Sequence, residues 1–422
     1  MKILIVSRSD ARGGAARAGY QLHRALNANG QTSRMWVGVK DSTDPTVTGP
    51  LGALATAWSQ IRPGLAITLM RRLQRAPDRA WRSLALLPSG LGRAVNRSDA
   101  DIVNLQWVGD ETLSVTEIGC IAKPVVWTMH DMWPFCGAEH YAPDDASARW
   151  RGGYTPGTRA AGAGGFDIDA WVWRRKRDAW RPCRLVVASR WLADCASTSA
   201  LMRGWPVSVI PHVVDTNVFR PHDDASARAE WDLPPDVPIV LFAAAGGSRD
   251  PRKGWDLLVS ALDVVAATRR DMVCAVLGEN ESSAPRWTLP VPVRWLGSVS
   301  DDAALARLYA IADVTVVPSR QDNLPLVAIE AQACGCPVVA FAATGLPDAI
   351  EHRLTGYLAE PFASADLARG ILWVLADKQR HQQLRAQARE RARRLWSPGV
   401  VTRQYCEVYA AAIEAYRAKA AR

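Results

Sequence analysis

Short apolar runs alternate with longer segments of helical spacing along nearly the whole chain. The runs fall at 3–6, 102–105, 125–128, 185–189 and 207–210, then again at 239–243, 273–277, 294–297, 314–317, 337–340 and 356–358. Most are β-branched and show no polar alternation, the pattern of strands covered on both faces in a parallel sheet. Between them the spacing predicts helices from Tyr20, over 171–180, 255–266 and 301–311, from Pro325, over 364–395 and over 400–418. Such alternation predicts an α/β protein of doubly wound sheets. A polar, Pro-rich stretch at 216–236 interrupts the series and marks a linker. At 422 residues the chain exceeds what one hydrophobic core supports, so two domains are expected.

Composition narrows the class. Hydrophobic residues make up 48% and charged residues 22%, ordinary values for a globular protein, and no apolar run reaches transmembrane length. The apolar run at the N-terminus is too short for a signal peptide, so a cytoplasmic location is expected. Eight cysteines sit mostly inside apolar patterns, as free buried thiols do, and Cys334 and Cys336 lack a second pair at zinc-site spacing. The net charge of +9 admits nucleic acid, anionic lipid or phosphorylated ligands. No nucleic-acid-binding module is recognisable, so nucleic acid is not an expected partner. Eight arginines lie between Arg62 and Arg97, and Arg71, Arg72, Arg75, Arg79 and Arg82 recur at helical spacing. Residues 62–97 fit either a basic amphipathic helix resting on an anionic membrane at the inner face of the cell membrane, or a solvated helix face.

Three loops carry the candidate chemistry. The segment from Val314 to Gly335 reads strand, polar loop, helix, with Asp322 in the loop and Glu330 in the helix. Proline fits a first helical turn, so the helix is expected to open at Pro325. Free N–H groups and the dipole at a helix start make an anion site, and flanking carboxylates suit hydroxyls; a sugar nucleotide has both. The turn at 246–254 adds Arg249, Arg252 and Lys253, cations suited to a diphosphate. In the first half, Gly13 and Gly14 precede a helix, and His130 and Asp131 follow a buried strand where open α/β sheets place ligand groups. Residues 142–169 read as a mobile loop. Within them Asp167-Ile168-Asp169 has the form of a metal–nucleotide DxD, although a helix start explains it better. The turn at 343–348 is a further place for backbone to approach a ligand.

With these pieces placed, the chain resembles the retaining glycosyltransferases of family four, which have the GT-B fold, and among them the branch of bacterial exopolysaccharide (colanic-acid-like) clusters. The resemblance rests on GGAARA at Gly13, HDMWPF at His130, DTNVFRP at Asp215, DPRKGWDLL at Asp250, LGSVSDDAALARLYAIADVTVVPS from Leu296, and QDNLPLVAIEAQACGCPVVA from Gln321, in that order. It implies two Rossmann-like domains facing across a cleft: 1–215 for the acceptor, joined by 397–422 crossing back, and 216–396 for the donor. It further implies a nucleotide-sugar donor, a glycan or lipid-linked saccharide acceptor, and no metal or cofactor. Glu330 would bind ribose hydroxyls and Asp322 the donor sugar. Lys253, with Arg249 or Arg252, would neutralise the diphosphate beside the N–H groups of Leu326 and Val327. His130 would be the active-site histidine, and Gly13 and Gly14 the turn touching phosphate and acceptor. Asp322 stands where the family has Glu, Pro325 where many relatives have Gly, and His212-Val213 replaces the usual Asn-Gly. Another GT-B enzyme, such as a nucleotide-sugar epimerase, and a catalytically impaired sugar-nucleotide-binding subunit are the rival readings.

Overall fold

Continuous β-branched stretches can be satisfied only where both faces of a strand are covered, and the chain meets that demand with two all-parallel sheets. The structure is a computed structural model that describes residues 1–420 except 74–79, 160–163, 223–226, 245–246 and 282–288. The first unit contains β1 (Lys2–Ser9), β2 (Thr32–Val39), β3 (Val47–Thr48), β4 (Ile102–Leu105), β5 (Val125–Met129), β6 (Arg184–Val187) and β7 (Val207–Val209). They lie in the order β3-β2-β1-β4-β5-β6-β7. The second contains β8 (Ile239–Ala243), β9 (Val273–Leu277), β10 (Val293–Trp295), β11 (Val314–Val317), β12 (Val338–Phe341) and β13 (Gly356–Ala359), in the order β10-β9-β8-β11-β12-β13. These are two Rossmann-like, doubly wound domains.

The chain divides into Met1–Ile210 with Thr402–Arg422, and Pro211–Val401. The core of the first unit is built on Trp127, Trp133 and Trp180, whose rings meet edge to face at 4.9 to 6.3 Å. In the second, Phe242 meets Trp255 at 5.1 Å with the rings tilted, in one cluster with Phe341 and Tyr357. The last helix, Pro398–Ala420, brings Tyr405 and Tyr409 into the first unit. Tyr409 OH accepts from Asn104 Nδ2 at 2.5 Å, and Tyr405 OH lies 3.3 Å from Thr128 Oγ1.

Two expectations need correction. The segment 142–169 is anchored where it is described: Trp150 and Tyr154 are buried, Tyr154 OH bonds Glu139, and Arg149 grips Asp167 at 2.6 Å. The arginine run of 62–97 does not form one outward face. The helix Ala53–Leu73 ends before most of it, and Arg75 and Arg79 lie outside the described residues. Arg62 is buried and donates to Glu111 O at 2.5 Å, while Arg82 is buried against Asp169 at 3.0 Å. Pro63 inside this helix offers no N–H to Ser59 O, and Arg8 Nη1 reaches that carbonyl at 3.4 Å.

Tyr409→Phe removes the partner of a buried amide, and a buried donor left without one costs about 1–3 kcal/mol. Urea unfolding of this variant should show a loss of that size, and an unchanged midpoint would mean that the Asn104 bond contributes nothing.

Candidate functional site

In the second unit the connections from β8 and from β11 leave in opposite directions, which opens a crevice at the carboxyl ends of these neighbouring strands. The loops that end there are pressed together. Gly254 has φ +69°, and a Cβ on it would lie 1.9 Å from Pro318 O, so only glycine fits. Arg320 N donates to Arg252 O at 2.7 Å, and the Arg320 guanidinium clamps Asp256 at 2.8 and 2.6 Å. The short 3-10 turn Pro251–Lys253 is capped by Asp250, whose Oδ1 accepts from Arg252 N at 3.0 Å. The result places Lys253 Nζ 2.6 Å from Asp322 Oδ2, with Ser319 Oγ 3.4 Å from the same oxygen. Asp322 is held from behind by the turn after β12: its N–H donates to Thr344 Oγ1 at 3.2 Å, and its carbonyl accepts from Gly345 N at 3.0 Å.

The adjoining helix is Leu326–Ala333, and Pro325 is its N-cap in an extended conformation rather than its first helical residue, a one-residue correction. Ala328 N donates to Pro325 O at 3.0 Å, so the N–H groups of Leu326 and Val327 precede the first helical bond. Glu330, on the same helix, is 1% exposed, with Tyr309 OH 3.5 Å from Oε2. The other two cations of the β8 turn are also matched with carboxylates. Arg252 Nη2 lies 2.6 Å from Asp250 and Arg249 Nε 2.9 Å from Glu279, whose other oxygen takes Ser248 N at 3.2 Å. Burial alone would raise the Glu279 carboxyl, but the bonds from Ser248 and Arg249 outweigh it and hold it below the usual range. Gly246, the first glycine of this turn, lies outside the described residues.

The first unit gathers a second set of groups. Gly13, at φ +89°, is the N-cap of the helix Gly14–Ala28, and a Cβ on Gly13 or Gly14 would meet nothing within 4 Å. His130 follows β5 and is buried, with Nε2 2.7 Å from Gln106 Oε1. Gln106 packs on the glycine-capped helix, since a Cβ on Gly19 would come within 3.3 Å of its Cγ. Gln106 Nε2 donates to Asn104 Oδ1 at 3.1 Å, and Asn104 in turn donates to Tyr409. This chain assigns the acceptor end of Gln106 to His130, and so the imidazole proton to Nε2. Burial pushes the His130 imidazole down to about 4, so the ring is neutral at physiological pH.

The loop beyond His130 is rigidly held. Asp131 accepts from Trp107 Nε1 and His140 Nδ1, each at 2.7 Å, and these partners keep its carboxylate below its usual range despite burial. Lys176 is buried beneath, donating to the carbonyls of Trp133, Cys136 and Gly137 with Nζ 3.9 Å from the Trp133 ring. Asp167 caps the helix Ile168–Ala179 by accepting from Ala170 N at 3.0 Å, and Asp169 pairs with Arg82. Sequence reading missed Thr344, Tyr309, Glu279, Gln106 and Tyr409. The turn at 343–348 containing Thr344 reads only as a place for backbone to approach a ligand, Tyr309 lies unremarked inside the run from Leu296, and Glu279, Gln106 and Tyr409 belong to no local motif.

Residues 223–392 match the family model described as Glycosyl transferases group 1. That span contains Lys253, Asp322 and Glu330 but not His130 or Gly13. A D-inositol 3-phosphate glycosyltransferase of Segniliparus rotundus is 38% identical over 194 residues, covering 43% of this chain and 41% of the relative. One from Thermobispora bispora is 32% identical over 223 residues, covering 49% and 51%. The chain thus spans about half the length of the curated relatives it matches. Among solved structures, sucrose-phosphate synthase from Thermosynechococcus elongatus is similar over 98% of this chain and 100% of its own, with TM-score 0.65 and 20% identity. Anabaena HepE in complex with UDP-glucose is similar over 97% and 100%, with TM-score 0.64 and 16% identity. The fold is that of the GT-B glycosyltransferases.

A depressed histidine pKa makes the folded state bind fewer protons than the unfolded one between pH 6.5 and about 4. The His130 contribution to stability is therefore complete above pH 6.5 and lost as pH falls toward 4. Urea unfolding across this window should show a pH dependence about 3 kcal/mol smaller in His130→Gln than in the parent. Parallel curves for the two proteins would contradict a buried, neutral His130.

Proposed function

We propose that this chain is a retaining, metal-independent glycosyltransferase that moves a sugar from a nucleotide-diphosphate sugar to an acceptor hydroxyl in exopolysaccharide or other cell-surface glycan synthesis. The observation that carries the reading is the Lys253–Asp322 pair, 2.6 Å apart at the carboxyl ends of β8 and β11, beside the start of the Leu326–Ala333 helix. The ammonium and the helix N-terminus suit a diphosphate, and the carboxylates of Asp322 and Glu330 suit sugar and ribose hydroxyls. The domain match over 223–392 and the glycosyltransferase names of the relatives support the same class of reaction. In the first unit, His130 is assigned to orienting the donor, and the open Gly13–Gly14 turn to phosphate and acceptor. The acceptor is a glycan or a lipid-linked saccharide, which would place the work at the inner face of the cell membrane.

In this reading negative charge builds on the diphosphate as the glycosidic bond breaks. Lys253, already oriented by Asp322, answers that charge without reorganisation, together with an arginine of the same turn and the N–H groups of Leu326 and Val327. The leaving phosphate takes the acceptor proton. A neutral His130 is assigned to orienting the donor and is not a strong base.

A transfer assay after a screen of UDP-, GDP- and dTDP-sugars tests the proposal. Lys253→Ala should lower kcat on the order of a hundredfold or more, the size seen when one preorganised donor is lost, while leaving the protein folded. Full activity in that variant would remove Lys253 from the mechanism. Rearranged donor formed without any acceptor would favour the epimerase reading, and binding without turnover the impaired-subunit reading.

A further inference from the structure

The helix Ala53–Leu73 is apolar on two sides, and the protein covers one of them. Ser59, Arg62 and Ala66 are buried, and Met70 and Leu73 pack against a small cluster with Leu84 and Val172. A second line runs through Leu54, Trp58, Ile61 and Leu65, at the i, i+4, i+7, i+11 spacing of one helix face. This line faces solvent. Leu54 is 88% exposed, Ile61 52% and Leu65 47%, and Leu51 just ahead of the helix is 82% exposed. Single exposed leucines are ordinary, but a contiguous stripe over three turns marks an interaction surface. Arg72 stands eighteen residues after Leu54 and so continues the line at 3.6 residues per turn, with Arg71 beside it; both are exposed.

Charge decides the occupant. No Asp or Glu occurs between Asp44 and Asp78, and the chain carries +9. A second copy would set like charge against like, whereas an anionic lipid surface accepts both the aliphatic line and the two guanidinium groups. Trp58 is 38% exposed, and its indole N–H is already satisfied by Pro88 O at 3.0 Å, so no free donor interrupts the line. We propose that Leu54, Trp58, Ile61 and Leu65 seat this helix in the headgroup–acyl boundary of an anionic membrane, with Arg71 and Arg72 on lipid phosphates. The helix lies on the bilayer; among the described residues none is long and apolar enough to cross it. This differs from a basic surface over 62–97, because Arg62 and Arg82 point inward and hydrophobic insertion supplies the main attraction. The inference is independent of the transfer chemistry.

The test is co-sedimentation of the full chain with vesicles of equimolar phosphatidylcholine and phosphatidylglycerol, beside vesicles of phosphatidylcholine alone. The parent should sediment with the anionic vesicles. The triple variant Leu54→Ser, Ile61→Ser, Leu65→Ser should bind at least about tenfold more weakly. Its circular dichroism and unfolding midpoint should be unchanged, since the replaced side chains are exposed. Arg71→Gln with Arg72→Gln should lose the preference for the anionic lipid while keeping part of the binding. A parent that does not sediment, or a triple variant that sediments like the parent, overturns the proposal. A parent dimer by light scattering that the triple variant turns into a monomer, with neither bound to vesicles, assigns the face to a second copy instead.

Discussion

The backbone of Gly254 sits where no side chain could, against the carbonyl of Pro318, and the candidate donor site depends on that approach. It joins the turn after β8 to the loop after β11, two segments about seventy residues apart in sequence that meet because their strands are neighbours in the sheet. Once these loops touch, Lys253 and Asp322 can pair, Arg320 can clamp Asp256, and Thr344 can brace Asp322 from the next strand. A flexible lysine loses much rotamer freedom on being fixed. Here the cost falls during folding, before any ligand arrives, which under the proposed reaction is preorganisation for developing charge.

The first unit uses a different device for the same end. His130 is oriented by a buried chain of amides through Gln106 and Asn104 that ends on Tyr409 of the last helix. Each amide spends its donor on the next residue, so the direction of every bond is set, and with it the histidine tautomer. Lys176 holds the following loop from below through three carbonyls. A histidine kept neutral by burial and aimed by such a chain is suited to hydrogen bonding rather than to proton transfer at neutral pH.

Much of the fold was legible because fully buried parallel strands announce themselves as unbroken apolar runs, as at Ile239–Ala243 and Val314–Val317. β2 was missed because its burial alternates and its residues mix Thr, Ser and Arg with Met and Trp. Candidate residues tied to a local pattern could be named from the sequence, and two of them, Lys253 and Asp322, lie 2.6 Å apart. Thr344 behind Asp322, Tyr309 beside Glu330, Glu279 beside Arg249, and Tyr409 at the end of the His130 chain were not recognised as partners, since each acts from a distant part of the chain. Arg62 and Arg82 show the converse error: helical spacing reads alike for a solvated face and for one whose cations are turned inward.

The central claim is that the crevice between β8 and β11 binds a nucleoside diphosphate through Lys253, which Asp322 already orients. Calorimetric titration of UDP, GDP and dTDP into the parent, Lys253→Ala and Asp322→Asn tests it most directly. One nucleotide should bind the parent, at least about tenfold more weakly to Lys253→Ala, and more tightly to Asp322→Asn, because removing a carboxylate beside a diphosphate removes repulsion. No binding of any of the three, or equal affinities in the parent and Lys253→Ala, would contradict it.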